Sequence, residues 1–313
     1  MDPDTRIHVS LAHLRSLQGA AQGLSFLPRQ PSASVLNGRH ASRLRGRGLN
    51  FEEMRDYLPG DDVRSIDWKA TARTGSPYVR VFTEERDRPA LLVVDQRMSM
   101  FFGSQLNMKS VTAAEAAAIA AFRILESGDR VGGVVFDNDS AVEFVPKRSR
   151  RTAYALLESI AEKNAALHAD RGVAPAPGEL NHVLNSVARI AHHDHLVLVF
   201  SDFDGIDELT QRRLSGIAAH NDVILFLVYD PLSERIEPGD RAVVGDGRMQ
   251  AEIDLGSRTT RDAVSGFTRE RLEKIYRWQT EINLSVLPLS SGEETLPQIR
   301  RLMGRLAPQR RVR

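Results

Sequence analysis

Residues 89–104, PALLVVDQRMSMFFGS, constrain the fold more than any other stretch of the chain. Leu91, Leu92, Val93 and Val94 form a short apolar run without alternation, the pattern of a strand buried on both faces, and Asp95 ends it. An acid in that position lies at the carboxyl edge of a sheet, where open α/β sheets place their sites. The format recurs in HLVLVFSDFDG, with Leu196 to Phe200 as the strand and Asp202 just past its end. The two acids are expected to face each other.

The same pattern repeats along the chain. Strands are predicted at 90–94, 131–136, 196–201, 222–229 and 284–288, all parallel, and helices at about 108–127, 150–164, 179–192, 207–220, 258–281 and 293–306. Pro175, Pro177 and Gly178 forbid one continuous helix between 150 and 192. Only four polar residues, Asp137 to Ser140, separate strand 131–136 from a run at 141–145, which makes the latter an antiparallel edge strand. The fold class expected is α/β: a doubly wound, mainly parallel sheet with one antiparallel edge strand, plus an N-terminal extension. Gly245-Asp246-Gly247, between short alternating runs, predicts an added hairpin.

Composition excludes several chemistries. The chain has no cysteine, which removes disulfides, thiolate metal sites and a thiol nucleophile, and it suits a cytoplasmic protein. No apolar run approaches the roughly 18 residues that suggest a membrane span, and MDPDTRIHV lacks the apolar core of a signal peptide. The formal charge of +1 conceals basic stretches: Arg29, Arg39, Arg43, Arg45 and Arg47 without an acid, and six arginines in residues 299–313. Solvated ends are the commoner meaning of such blocks, so nucleic acid is not the expected partner, and a basic nucleic-acid binder acting through Arg39 to Arg47 and the arginine-rich tail is kept as an alternative.

Three regions follow: an N-terminal helix and basic connection at 1–45, a second segment at 46–88, and the α/β domain at 89–313. In the first, Val9, Leu11, Leu14, Leu17 and Leu24 predict a short amphipathic helix within 8–27, with Ser10 as its N-cap. The second is dense in charge yet interleaved with Phe51, Tyr57, Ile66, Trp68, Tyr78 and Phe82, and is expected to pack on the main domain and bury its aromatics. Pro59-Gly60 signals a turn, Asp61 or Asp62 a cap, and Tyr78 to Phe82 a strand. Asp61, Asp62 and Asp67 admit a metal site, but a cap at Asp61 and pairing of the others with Arg55, Arg64 or Arg73 is the expectation.

GRGLNFEEMRDYLPGDDVRSIDWKATAR, followed by a strand, Asp95 and Ser99-Met100, resembles the domain of unknown function 58 family, whose C-terminal part resembles a von Willebrand factor A domain. Tyr57, Pro59, Gly60, Asp61, Asp62, Arg64, Asp67 and Trp68 carry the likeness. The resemblance implies a bacterial, non-enzymatic interaction or adaptor protein, encoded beside a MoxR-type AAA+ ATPase and acting with it. It also implies a metal-ion-dependent adhesion site of the form Asp-x-Ser-x-Ser, with a later Thr and an Asp after the fourth strand. Here Asp95, Ser99 and Asp202 match, Arg97 replaces the first Ser, and Glu179 stands nearest the Thr position, so the site is degenerate.

Arg97 is expected to bridge Asp95 and Asp202 in place of a divalent ion, with Glu179 a further acid if it faces the same cleft. The alternative is Mg held by Asp95, Ser99 and Asp202, in a phosphoryl-transfer or hydrolytic enzyme. Against it, Gln96 and Arg97 follow Asp95, so the second acid of a phosphatase-like Asp-x-Asp pair starting at Asp95 is absent. No catalytic residue is assigned: Ser99 lacks a G-x-S-x-G elbow, His192, His193 and His195 read as surface residues, and Gly132-Gly133 lacks a phosphate-loop context.

Overall fold

The computed structural model describes residues 3–21, 49–57, 63, 66–84, 89–169, 178–233, 241–245, 250–254, 258–282 and 284–306. In chain order its elements are α1 (Leu11–Ser16), β1 (Leu49–Asp56), α2 (Trp68–Thr74), β2 (Tyr78–Glu84), β3 (Ala90–Asp95), α3 (Lys109–Glu126), β4 (Val131–Phe136), β5 (Ala141–Lys147), α4 (Arg150–Ala165), α5 (Glu179–Ile190), β6 (Leu196–Ser201), α6 (Glu208–Ala218), β7 (Asp222–Tyr229), β8 (Arg241–Gly245), β9 (Gln250–Asp254), α7 (Arg258–Glu281), β10 (Ser285–Ser290) and α8 (Thr295–Leu306). They group into two compact units, one of residues 1–29 with 88–313 and the other of residues 30–87.

The larger unit is built on a six-stranded sheet of order β10-β7-β6-β3-β4-β5. All its pairs are parallel except β4 with β5, as expected from the short link between them. Asp137 accepts hydrogen bonds from the N–H groups of Asp139 and Ser140 and so closes that link as a tight turn, too short for a crossover. The central strands β3, β4 and β6 are buried over their full length. Leu92 and Val94 point into a core with α1, α3, α4 and α8, whereas Leu91 and Val93 point into a second core with α5, α6 and α7. Helices therefore cover both faces, which is why these strands lack alternation.

Two sequence details position this sheet. The alanines of α3, from Ala113 to Ala121, are fully buried, and their small side chains let the helix lie close on the strands. A Cβ on Gly133 would collide with the Leu92 carbonyl, and one on Gly132 with the Phe144 carbonyl, so this pair serves close strand approach. The β8–β9 hairpin forms as expected, with Arg241 opposite Asp254, while Asp246 and Gly247 lie outside the described residues. Among the described residues no helix is long and apolar enough to cross a membrane.

The N-terminal segment forms the short helix expected within 8–27, while Leu24 lies outside the described residues. Ser10 caps it, accepting from the His13 N–H at 3.1 Å; α1 ends at Ser16 and a 3-10 turn follows at Gly19–Ala21. Six residues are too few to hold a helix in water, so tertiary contacts hold this one. Val9, Leu14 and Ala21 are buried in the core beside α3, and the Val9 N–H donates to Asn164 Oδ1 at 2.8 Å. Arg15 stacks on the Tyr154 ring at 4.7 Å, and His13 Nε2 meets Glu115 Oε1 at 2.7 Å.

That histidine makes the anchorage sensitive to pH. Its hydrogen bond to Glu115 raises the His13 pKa above 6.5, outweighing the opposite effect of burial, with further help from the charges of Glu115 and Glu294. A raised folded pKa gives a contribution fully present below the unfolded pKa and lost as pH rises through the folded value. Thermal melts should show the native chain losing on the order of 1 kcal/mol relative to a His13→Gln variant between acidic and alkaline buffer. Parallel pH profiles for the two proteins would remove His13 from the account.

In the smaller unit β1 pairs antiparallel with β2, from Leu49 opposite Glu84 to Asp56 opposite Tyr78, with a register shift between Phe51 and Glu53. Between them, Asp67 caps α2 by accepting from the Lys69 and Ala70 N–H groups at 2.9 and 3.1 Å, and Gly75 in the left-handed region (φ 77°) closes it. Asp67 is thus a helix cap; Pro59, Gly60, Asp61, Asp62 and Arg64 lie outside the described residues. Tyr57 and Ile66 are half-buried, but Trp68, expected inside, is 66% exposed. The cap fixes the helix with half-buried Ala70 and Thr71 turned inward, where the Thr71 hydroxyl accepts from the Tyr78 N–H at 3.1 Å. Trp68, the first residue of α2, is left in solvent.

Candidate functional site

The strand order reverses between β3 and β6, which run parallel with Val94 opposite Phe200. Their carboxyl ends therefore deliver Asp95, Ser201 and Asp202 to one place. Asp95 is fully buried, and its oxygens are heavily engaged. Oδ1 accepts from the Arg97 backbone N–H at 2.9 Å and from Arg97 Nε at 3.0 Å, while Oδ2 accepts from Arg97 Nη2 at 2.7 Å and from the Ser201 hydroxyl at 2.6 Å. The guanidinium fork matches the carboxylate in two parallel bonds, a geometry open to Arg but not to Lys.

Arg97 itself is 2% exposed. Nη1 donates to the Asp204 carbonyl at 3.2 Å, Nη2 stands 3.9 Å from Asp202 Oδ1, and the group lies 5.6 Å from the centre of the Phe136 ring. Burial works against its charge, but Asp95, then Asp202 and Asp204, outweigh that and hold its pKa above the usual Arg value. The cation is permanent.

Asp202 is met by a second cation. Lys109, the first residue of α3, places Nζ 2.7 Å from Asp202 Oδ2, and Oδ1 accepts from the Ser99 hydroxyl at 3.3 Å and the Asp204 N–H at 3.0 Å. Burial favours the protonated acid, yet Lys109, Arg97 and Arg271 prevail and hold the Asp202 carboxyl well below the carboxylate range. Arg271 of α7 completes the set by pairing with the Asp204 side chain. Between Asp202 and Asp204 the buried Phe203 adopts a left-handed conformation (φ 54°), with its N–H donated to the Ser201 hydroxyl at 2.9 Å. This turn lets both acids bracket Arg97, and a β-carbon residue there is strained.

Asp95, Arg97, Ser99 and Asp202 thus come together as the sequence suggests, with Arg97 tight on Asp95 and looser on Asp202. Glu179 does not join them: it is half-buried in the first turn of α5 and makes none of these contacts. Lys109, Ser201, Asp204 and Arg271 were not anticipated. Lys109 left a faint signal, a lone charge opening an alanine-rich helix. His192 and His193 are exposed; His193 bonds to Asp194 at 3.0 Å and His195 to the His193 carbonyl at 2.7 Å, away from these acids. At the end of β7, Asp230 accepts from the Ser104 N–H (2.8 Å), the Ser291 hydroxyl (2.7 Å) and the Leu232 N–H (3.0 Å), tying neighbouring loops together.

These residues do not fit a divalent ion. Mg binds through convergent oxygens, whereas here every oxygen of Asp95 and Asp202 already accepts from a cation, a hydroxyl or an N–H. Among the described residues no group of three or more His, Asp or Glu side chains is arranged to hold a metal. Chemically, the edge is a neutralised and rigid knot in which Asp95, Asp202 and Asp204 face Arg97, Lys109 and Arg271.

Residues 53–274 match the family described as "Protein of unknown function DUF58". Uncharacterized proteins of Mycobacterium bovis and of two strains of Mycobacterium tuberculosis are each 31% identical to the chain over 255 residues, 81% of this chain and 73% of theirs. The family match runs from within β1 to within α7 and so includes Trp68, Asp95, Arg97, Lys109, Asp202 and Arg271.

Proposed function

The chain belongs to the DUF58 family, and we propose that it is a non-enzymatic cytoplasmic adaptor, with a von Willebrand factor A-like α/β unit, that works with a MoxR-type AAA+ ATPase. Support comes first from the carboxyl edge. Arg97 and Lys109 engage the acids that a magnesium-dependent phosphoryl-transfer enzyme would use to hold its metal. A general base needs a pKa near the working pH, and the Asp202 carboxyl is held far below it by its cations. A docking surface tolerates such neutralisation, because shape and hydrogen bonding at a fixed edge are enough to recognise a partner.

The test is calorimetry of the purified chain with a MoxR-type AAA+ ATPase of the same organism, in the presence of ATP, of ADP and of neither. Saturable binding at micromolar affinity or better in at least one state is the expected result. Binding in none of the three would overturn the proposal. Magnesium-dependent turnover of a generic phosphate ester, abolished by Asp202→Asn, would transfer the protein to the enzyme class.

A further inference from the structure

The smaller unit carries a feature that its own packing does not use. Trp68 is 66% exposed, and Lys69, Ala72 and Arg73 of the same helix are exposed with it. At 3.6 residues per turn, positions 68, 72, 69 and 73 fall within an arc of about 140°. The solvent face of α2 is therefore one indole, a small residue that leaves room beside it, and two cations. Neither Lys69 nor Arg73 has an ion pair among the described residues. Among the described residues, the acid beside this helix in sequence is Asp67, 6% exposed, with Oδ1 turned to the helix N-terminus where it accepts from the Lys69 and Ala70 N–H groups. Val63, 57% exposed, adds a second apolar side chain close by in sequence.

We propose that this face of α2 is a docking surface for an acidic protein segment carrying an apolar anchor. Trp and Arg are the residues that most often dominate protein interfaces, and a large rigid ring beside unpaired cations recognises an apolar side chain flanked by carboxylates. Nucleic acid is the poorer fit: two cations neutralise about two phosphates, whereas binding that rests on backbone charge draws on about six to ten contacts. A lipid surface fits poorly as well, because an interfacial helix needs a continuous apolar face and α2 offers one large apolar residue in seven. The surface is independent of the ATPase proposal, since any protein with that segment satisfies it.

The experiment uses the full chain and a labelled helical peptide of about 20 residues, with leucines at i, i+3 and i+7 and glutamates between them. The chain has two tryptophans, and Trp278 is 1% exposed, so emission quenched by iodide reports Trp68. The peptide should shift that emission to the blue and protect it from iodide. Affinity, read from the peptide's anisotropy, should fall at least tenfold for Trp68→Ala and for the pair Lys69→Glu with Arg73→Glu. It should fall as far when the glutamates become glutamines or the leucines alanines, and it should survive Lys69→Arg. Exposed substitutions rarely unfold a protein; the two glutamate changes carry the test alone if Trp68→Ala alters the circular dichroism. Equal affinity in native and variant chains, or no binding at millimolar peptide, overturns the proposal. Stronger protection of Trp68 by a thymidine 30-mer or by phosphatidylserine vesicles would overturn it too, in favour of nucleic acid or lipid.

Discussion

Replacing Arg97 with Met is expected to lower the unfolding free energy by about 3–5 kcal/mol, the cost of leaving one partner of a buried ion pair without the other. Asp95 has no access to water and would keep only the Ser201 hydroxyl and the backbone N–H of residue 97. The guanidinium bonds to Nε and Nη2 vanish, and so does the tie to the Asp204 carbonyl that holds the loop after β6 against the loop after β3. A buried pair is not thereby a net source of stability, because both ions were taken out of water to form it. The companion variant, Asp95→Asn with Arg97→Met, should accordingly recover much of the loss, and the two changes should be strongly non-additive. Urea denaturation of the native chain, both single variants and the double variant measures this directly. A cost for Arg97→Met below about 1 kcal/mol would mean that water reaches Asp95 once the guanidinium is gone.

The parts of this architecture that could be read from residues alone share one physical property: their environment is fixed by local pattern. Strands such as Leu196–Ser201 are covered on both faces and so appear as unbroken apolar runs. The turn at Asp137 to Ser140 is too short to permit any connection but a hairpin. The meeting of Asp95 and Asp202 followed from strand order, since parallel neighbours at a reversal point must end side by side. What escaped depends on contacts between distant segments. Lys109 reaches the site from the first position of α3, and Arg271 from α7, whose charge pattern looks like any solvated face. The pairing of β1 with β2 spans an intervening helix, and no turn signal announces it. Trp68 shows the limit most plainly: its apolarity argued for burial, but Asp67 sets the phase of α2, and phase decides which side of the helix meets solvent.

Titration of the native chain with Mg or Mn is expected to give no binding tighter than about millimolar, and the reason identifies the variant that acquires it. A divalent ion at Asp95 and Asp202 must displace the Arg97 fork from one and the Lys109 ammonium from the other. Each displaced cation would then remain close by, and at an effective dielectric of about 20 a unit charge 4 Å from a divalent ion is repelled by about 8 kcal/mol, twice the value for two unit charges. Arg97→Ser alone, or together with Glu179→Thr, leaves Lys109 on Asp202 and should gain nothing, because Glu179 makes no contact there. Arg97→Ser with Lys109→Ala removes both cations and supplies a hydroxyl near Asp95, leaving Asp95, Asp202 and the Ser99 and Ser201 hydroxyls as an oxygen set of the kind Mg prefers. That protein should bind Mg at least tenfold more tightly than the native chain. Having lost the Arg97 pair it should also be unstable without the ion, so its melting temperature should rise with Mg while the native value stays constant. Tight binding by the native chain would show that the cations yield to a metal, and a double variant that neither binds nor is stabilised would show that the oxygens do not converge.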